Sequence, residues 1–159
     1  MENELLADGK KVAVYLEGLK SFADIFSERT RIYYGENPQN EKSLNFTHAM
    51  RKIFGKLDVV TKDLQKIKHY FSDGEQIPTK YVESDFEGKK FIIIRKSNFD
   101  VEISVDAIKM MEHYNTFCIF SGDADFVYLN NFLKKKGKKI IIVKGGFILK
   151  KLRKSADLV

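Results

Sequence analysis

Between residues 116 and 126 the chain reads Thr116-Phe117-Cys118-Ile119-Phe120-Ser121-Gly122-Asp123-Ala124-Asp125-Phe126. An apolar run stops at Ser-Gly, two aspartates follow one residue apart, and Phe126, Leu129, Asn130 and Leu133 then recur at helical spacing. That order predicts a buried strand, a tight turn and a helix. In an open parallel sheet, ligands bind outside the carboxyl ends of the strands, and the aspartate pair stands at such an end. Carboxylates beside a helix N-terminus suit a hard divalent cation and a phosphate. One aspartate is enough to cap the helix, so capping alone leaves the second unexplained.

The rest of the chain is expected to alternate around this unit. Residues 1–10 are polar and expected to form a flexible N-terminus, followed by a single domain over 11–159, a length sufficient for one real core. Lys11-Val12-Ala13-Val14-Tyr15-Leu16, closed by Glu17-Gly18, is predicted as a first strand that delivers Glu17 at its end. A short helix is expected over 19–29, with Phe22, Ile25 and Phe26 on one side, then a second strand over 30–35. Phe46, Ala49, Met50, Ile53, Phe54 and Leu57 mark a helix. Residues 57–71 stay open: Leu57, Val60, Leu64, Ile67 and Phe71 have helical spacing, while Val59-Val60-Thr61 alone would make a strand. Residues 81–83 and 91–94 flank Asp85-Phe86-Glu87-Gly88 as a hairpin. A helix over 101–114 has two apolar stripes and is expected to be covered on two sides. Gly137 is expected to end the helix after the aspartate pair. Residues 139–143 form another strand, and Gly145-Gly146 turns into a last short helix through Leu149 and Leu152. Alternating strands and helices predict a parallel α/β sheet.

Charge points to the partner. The formal net charge is +6, and no Asp or Glu occurs from Phe126 to Ala156, a span that holds Lys134, Lys135, Lys136, Lys138, Lys139, Lys144, Lys150, Lys151, Arg153 and Lys154. A one-sign field of this kind attracts polyanions such as nucleic acid, though it also serves as a solvated face. The acidic turn beside it favours a phosphodiester substrate. No apolar run has membrane-spanning length, and the N-terminus lacks signal-peptide architecture. The single cysteine, Cys118, lies in the apolar strand and is expected to be a buried, unreactive thiol of a reducing cytoplasm. His48, His69 and His113 have no zinc-ligand spacing, and neither a P-loop nor a Gly-x-Ser-x-Gly elbow occurs.

The candidate site is therefore Glu17, Asp106, Asp123 and Asp125, a carboxylate cluster that repels itself unless cations neutralise it. Mg²⁺ or Mn²⁺ does so with oxygen ligands and leaves positions for phosphate and water. Asp100 is an N-cap candidate first and a ligand second. Ser121 is a turn residue able to hydrogen-bond a ligating carboxylate or a phosphate.

These residues resemble a known family. Ser121-Gly122-Asp123-Ala124-Asp125-Phe126 resembles the Ser-Gly-Asp-x-Asp-Phe signature of NYN domains, in the PIN-like nuclease superfamily. Lys96-Ser97-Asn98-Phe99-Asp100-Val101-Glu102-Ile103-Ser104-Val105-Asp106 is similar to their upstream acidic segment. Arg31-Ile32-Tyr33-Tyr34-Gly35, Gly137-Lys138-Lys139-Ile140 and Leu152 with Ala156-Asp157 also fit. The resemblance implies a three-layer α/β/α sandwich with a central, mainly parallel sheet, and Mg²⁺- or Mn²⁺-dependent ribonuclease activity. By position it implies that Asp106, Asp123 and Asp125 are catalytic and hold metal, with Glu17 as the first-strand carboxylate. The family usually ends that strand with Asp-x-x-Asn; here the positions read Glu17-Gly18-Leu19-Lys20. The expectation is a cytoplasmic enzyme on single-stranded RNA, away from membranes, with a homodimer left open. Lys20, Lys96, Lys144, Lys150 and Lys151 would bind RNA phosphates, with Ser121 and Asp100 in support. The alternative is a catalytically weak or inactive PIN-like RNA-binding regulator, for which Glu17 and Lys20 speak. A haloacid-dehalogenase-like reading of Asp123-Ala124-Asp125-Phe126-Val127 lacks the acidic motif it needs downstream.

Overall fold

Leu16, Leu19 and Ala23 lie three and four residues apart, and in the computed structural model of the chain that spacing prevails over the apolar run before it. Helix α1 spans Gly9–Asp24 and buries Leu16 and Ala23, leaving Tyr15, Glu17, Ser21 and Phe22 exposed. The strand expected over 11–16 is thus corrected to helix, and Glu17 is on the solvent side of α1 rather than at a strand end. A continuous apolar run does not distinguish a strand from a buried helix; Leu19 and Ala23, outside the run, supply the helical stripe. Lys20 is bound to Asp24 one turn on, with Nζ 2.6 Å from Oδ2.

The structure describes residues 9–25, 27–72, 74–76, 81–144 and 146–159, with side chains from residue 15 onward. Expectations for residues 1–8, Phe26 and Gly145 fall outside them. The protein is mixed α/β and divides into two compact units, Met1–Asn98 and Phe99–Val159. Among the described residues no helix is long and apolar enough to cross a membrane.

In the first unit α1 is followed by β1 (Ile32–Glu36), α2 (Glu41–Phe54), β2 (Val59–Asp63), β3 (Gln65–Tyr70), β4 (Val82–Ser84) and β5 (Lys90–Lys96). Asn40 caps α2 by accepting from the Lys42 N–H. Strands β1 and β2 pair in parallel, from Ile32 opposite Val59 to Glu36 opposite Asp63. Leu16, Met50, Phe54 and Val59 form the core here, with Leu19, Ile32, Tyr34, Phe46, Ala49 and Ile53 packed on it. The open segment 57–71 resolves to the end of a 3₁₀ turn and the two strands β2 and β3. β3 pairs antiparallel with β5, placing Ile67 opposite Ile94 and His69 opposite Ile92. A distant β-branched run decides this, which periodicity within the segment does not contain. β4 pairs with the other edge of β5, as the expected hairpin requires.

The second unit contains α3 (Asp100–Lys109), β6 (Thr116–Phe120), α4 (Val127–Lys135), β7 (Lys139–Val143) and α5 (Lys150–Lys154), with a 3₁₀ turn over Ala124–Phe126 between β6 and α4. β6 and β7 are parallel, from Thr116 opposite Lys139 to Phe120 opposite Val143. Gly137 ends α4 at φ +78°. Its N–H donates to the Lys134 carbonyl and the next N–H to the Leu133 carbonyl, the expected Schellman stop. Ala107, Ile119, Phe126, Leu129, Leu133, Ile140, Ile142 and Leu152 form the core. Complete burial of a side chain such as Leu133 stabilises by about 2–3 kcal/mol. Of the two stripes on α3, Ile103 and Ala107 meet this core. Val101 is 72% exposed, and Val105 and Ile108 are also exposed, so the expected cover on two sides is corrected to one.

Candidate metal centre

The turn after β6 is built from short local hydrogen bonds. Ser121 Oγ accepts from the Asp123 N–H at 3.0 Å, and Asp123 Oδ1 accepts from the Asp125 N–H at 3.0 Å. Asp123 therefore is an N-cap, of the 3₁₀ turn that leads into α4. That bond leaves its other carboxylate oxygen outside the cap. Ser121 shapes the backbone of the turn, its Oγ accepting from the Asp123 main-chain amide.

Asp100 comes to this turn from α3. Phe99 occupies the N-cap position without a side-chain cap bond, and Asp100 is the first helical residue. One oxygen from each of Asp100, Asp123 and Asp125 falls within a mutual 4.8 Å, with Asp123 and Asp125 exposed and Asp100 half-buried. Three carboxylates so close, all hard oxygen donors, fit Mg²⁺ or Mn²⁺ and offer nothing soft for zinc or copper. Asp100, expected only in support, is thus a full member of the trio. The aspartate pair is legible in sequence, whereas the third member depends on how α3 packs beside β6. Asp106 lies further along α3 and is outside this group. Glu17 belongs to the first unit, exposed on α1.

The basic span sorts into structural and free cations. Lys134 Nζ is 2.9 Å from Asp157 Oδ1. Lys138 and Lys136 stand over the rings of Tyr114 and Phe132. Lys150, Lys151, Arg153 and Lys154 on α5 are exposed and make no ion pair among the described residues. In the first unit Lys20 is held by Asp24, and Lys96 is exposed at the end of β5. Cys118 is half-buried rather than fully buried, and desolvation pushes its thiol pKa up, which disfavours the reactive thiolate.

The family model for the NYN domain matches residues 4–159. A curated relative, the "Low amplitude and bright protein LabA" of Synechococcus elongatus, is 34% identical over 64 residues, 40% of this chain. The match spans 34% of that relative's own length. The crystal structure of a protein of unknown function from Vibrio parahaemolyticus superposes with a TM-score of 0.59 at 19% identity, covering 90% of this chain and 75% of that one. It shares the fold.

Proposed function

The chain belongs to the NYN domain family, and from that premise we propose that it is a metal-dependent ribonuclease. The observation that carries the proposal is the convergence of Asp100, Asp123 and Asp125 within 4.8 Å. These three would hold Mg²⁺ or Mn²⁺. When bound, such an ion neutralises charge on the phosphodiester and makes an attacking water more acidic. The chain's own part is positioning. Ser121 and the cap bond of Asp123 hold the turn that presents both aspartates. The free cations of α5, led by Lys150 and Lys151, bind flanking phosphates, with Lys144 in the same unit, and Lys96 is a phosphate contact of the first unit; such contacts position RNA without reading its sequence. The proposal includes one domain over 11–159 with the three-layer sandwich and mainly parallel sheet of the superfamily, single-stranded RNA as substrate and a cytoplasmic setting; the homodimer stays open.

A second reading is an RNA-binding regulator without turnover. Its support is the first carboxylate: Glu17 is on a helix, and Lys20 is engaged by Asp24. The test is a titration of Mn²⁺ and Mg²⁺ against labelled single-stranded RNA, with calorimetric Mn²⁺ binding in parallel. Wild type is expected to cleave and to stop with EDTA. Asp100→Asn and the Asp123→Asn, Asp125→Asn double variant are expected to lose at least about 100-fold in rate, the scale of removing a preorganised charge-stabilising group, and to weaken Mn²⁺ binding. Glu17→Gln and Asp106→Asn test whether those carboxylates take part. RNA binding without cleavage at any metal concentration would leave the regulator.

A further inference from the structure

A cleft of about 500 Å³ opens beside α5, lined by Phe147, Ile148, Lys150, Arg153 and Lys154. Its volume is within the roughly 300–1,000 Å³ range of small-ligand sites. Phe147 is 85% exposed. A single exposed aromatic is unremarkable; this one shares its cleft with three cations, none in an ion pair among the described residues. The segment around it contains no carboxylate from Phe126 to Ala156. An uncharged π-face that shares a hollow with three cations, in an acid-free stretch, complements a nucleotide, whose base is flat and whose phosphate is anionic. The cleft also adjoins the acidic turn: a Cβ placed on Gly122 would come 4.0 Å from the Phe147 carbonyl oxygen. Gly122 directly precedes Asp123.

We infer that Phe147 is a base-stacking platform that, with Lys150, Arg153 and Lys154, binds one unpaired nucleotide of RNA next to the Asp100–Asp123–Asp125 site. The inference rests on the proposed RNA reading and deepens it by assigning the subsite that would select a single strand. Stacking on one ring face needs a base free of its pairing partner, so the subsite takes single strands and rejects duplex. It tolerates all four bases, because each has a π-face. Phosphate neutralisation by the three cations gives salt-dependent affinity, and Phe147 gives the part that salt does not remove.

The experiment is equilibrium binding by the full chain in EDTA, so that turnover plays no part. The probes are a fluorescent single-stranded oligouridine, its abasic ribose-phosphate counterpart and an RNA duplex of equal length. Phe147→Ala is expected to weaken oligouridine binding roughly 10- to 100-fold, to leave the abasic strand and the salt slope unchanged, and to melt at the wild-type temperature. Phe147→Tyr restores affinity, and photo-crosslinking of a 5-iodouridine strand falls on Phe147 in wild type. Equal affinity of wild type and Phe147→Ala for oligouridine overturns the inference. So does an equal loss on the abasic strand, which would mean the cleft senses charge alone, and so does absence of RNA binding by wild type. The two proposals fail separately: Phe147-dependent binding without metal-dependent cleavage removes the nuclease and keeps the platform. Normal cleavage with Phe147-independent binding does the reverse.

Discussion

At the scale of single residues, the bland and the chemical roles of a side chain coexist. Asp123 caps a 3₁₀ turn and still contributes a carboxylate oxygen to the trio with Asp100 and Asp125, so capping and membership of the acidic cluster do not exclude each other. Tyr114 is as clear a case in the core. Its hydroxyl donates to the Ala107 carbonyl at 2.7 Å, one of the acceptors left over in the last turn of α3. Burial pushes its phenol up from 10.0 to about 12. The folded state favours the neutral form, so this contribution is complete below pH 10 and disappears as pH rises through about 12. Spectrophotometric titration at alkaline pH is expected to show a late-ionising tyrosine that Tyr114→Phe removes. The same change should cost about 1 kcal/mol near neutrality, the worth of one hydrogen bond, and the gap in melting between the two proteins should close through that alkaline window. A Tyr114→Phe protein that retains the late titration would place it elsewhere.

At the scale of elements, close approach and pinning decide what each strand tolerates. A Cβ on Gly35 in β1 would collide with the Ser97 hydroxyl and with Leu64 Cδ2. Gly35→Ala is expected to destabilise by about 1–3 kcal/mol, the usual range for overpacking, and Ser97→Ala should recover part of it; chemical denaturation of the two variants measures both. The end of the chain is pinned to β7 through Asp157. Its Oδ2 accepts from the Ile140 N–H at 2.8 Å, and its N–H donates to the Ile140 carbonyl at 2.9 Å. That hydrogen bond from Ile140, then the Lys134 ammonium, lowers the Asp157 carboxyl pKa below 3.8. A lowered folded-state value means that the stabilisation is complete above pH 3.8 and is lost as pH falls through the folded pKa. Thermal melts against pH should therefore show wild type above Asp157→Asn near neutrality and the two converging in that acid range. A constant gap down to the lowest pH would remove the linkage. Element boundaries were readable where a local signal exists, as at Gly137. They are not legible at α1 or over 57–71, where the deciding partners lie elsewhere in the chain.

At the scale of the whole molecule, the excess of positive charge divides into lysines used internally and lysines left for a polyanion. Lys134 and Lys20 are bound to Asp157 and Asp24, while Lys150 and Lys151 are free of ion pairs among the described residues. RNA affinity measured against salt should reflect that division. Replacing Lys150 and Lys151 by Gln is expected to flatten the log–log slope by about 1.4, at roughly 0.7 per single-strand phosphate contact. Lys20→Gln should leave the slope as it was; an equal effect of the two changes would mean that charge acts in bulk rather than at α5. What the sequence alone determined is what nearest neighbours along the chain can specify: the strand–turn–helix around the aspartate pair, the glycine stop, the apolar β7, the acidic turn and the acid-free basic span. Only the tertiary structure decided that 59–63 and 65–70 are strands, that Asp100 rather than Asp106 completes the trio, and which lysines are free of ion pairs. Each of those depends on a partner far away in sequence, and neither periodicity nor composition encodes such a partner.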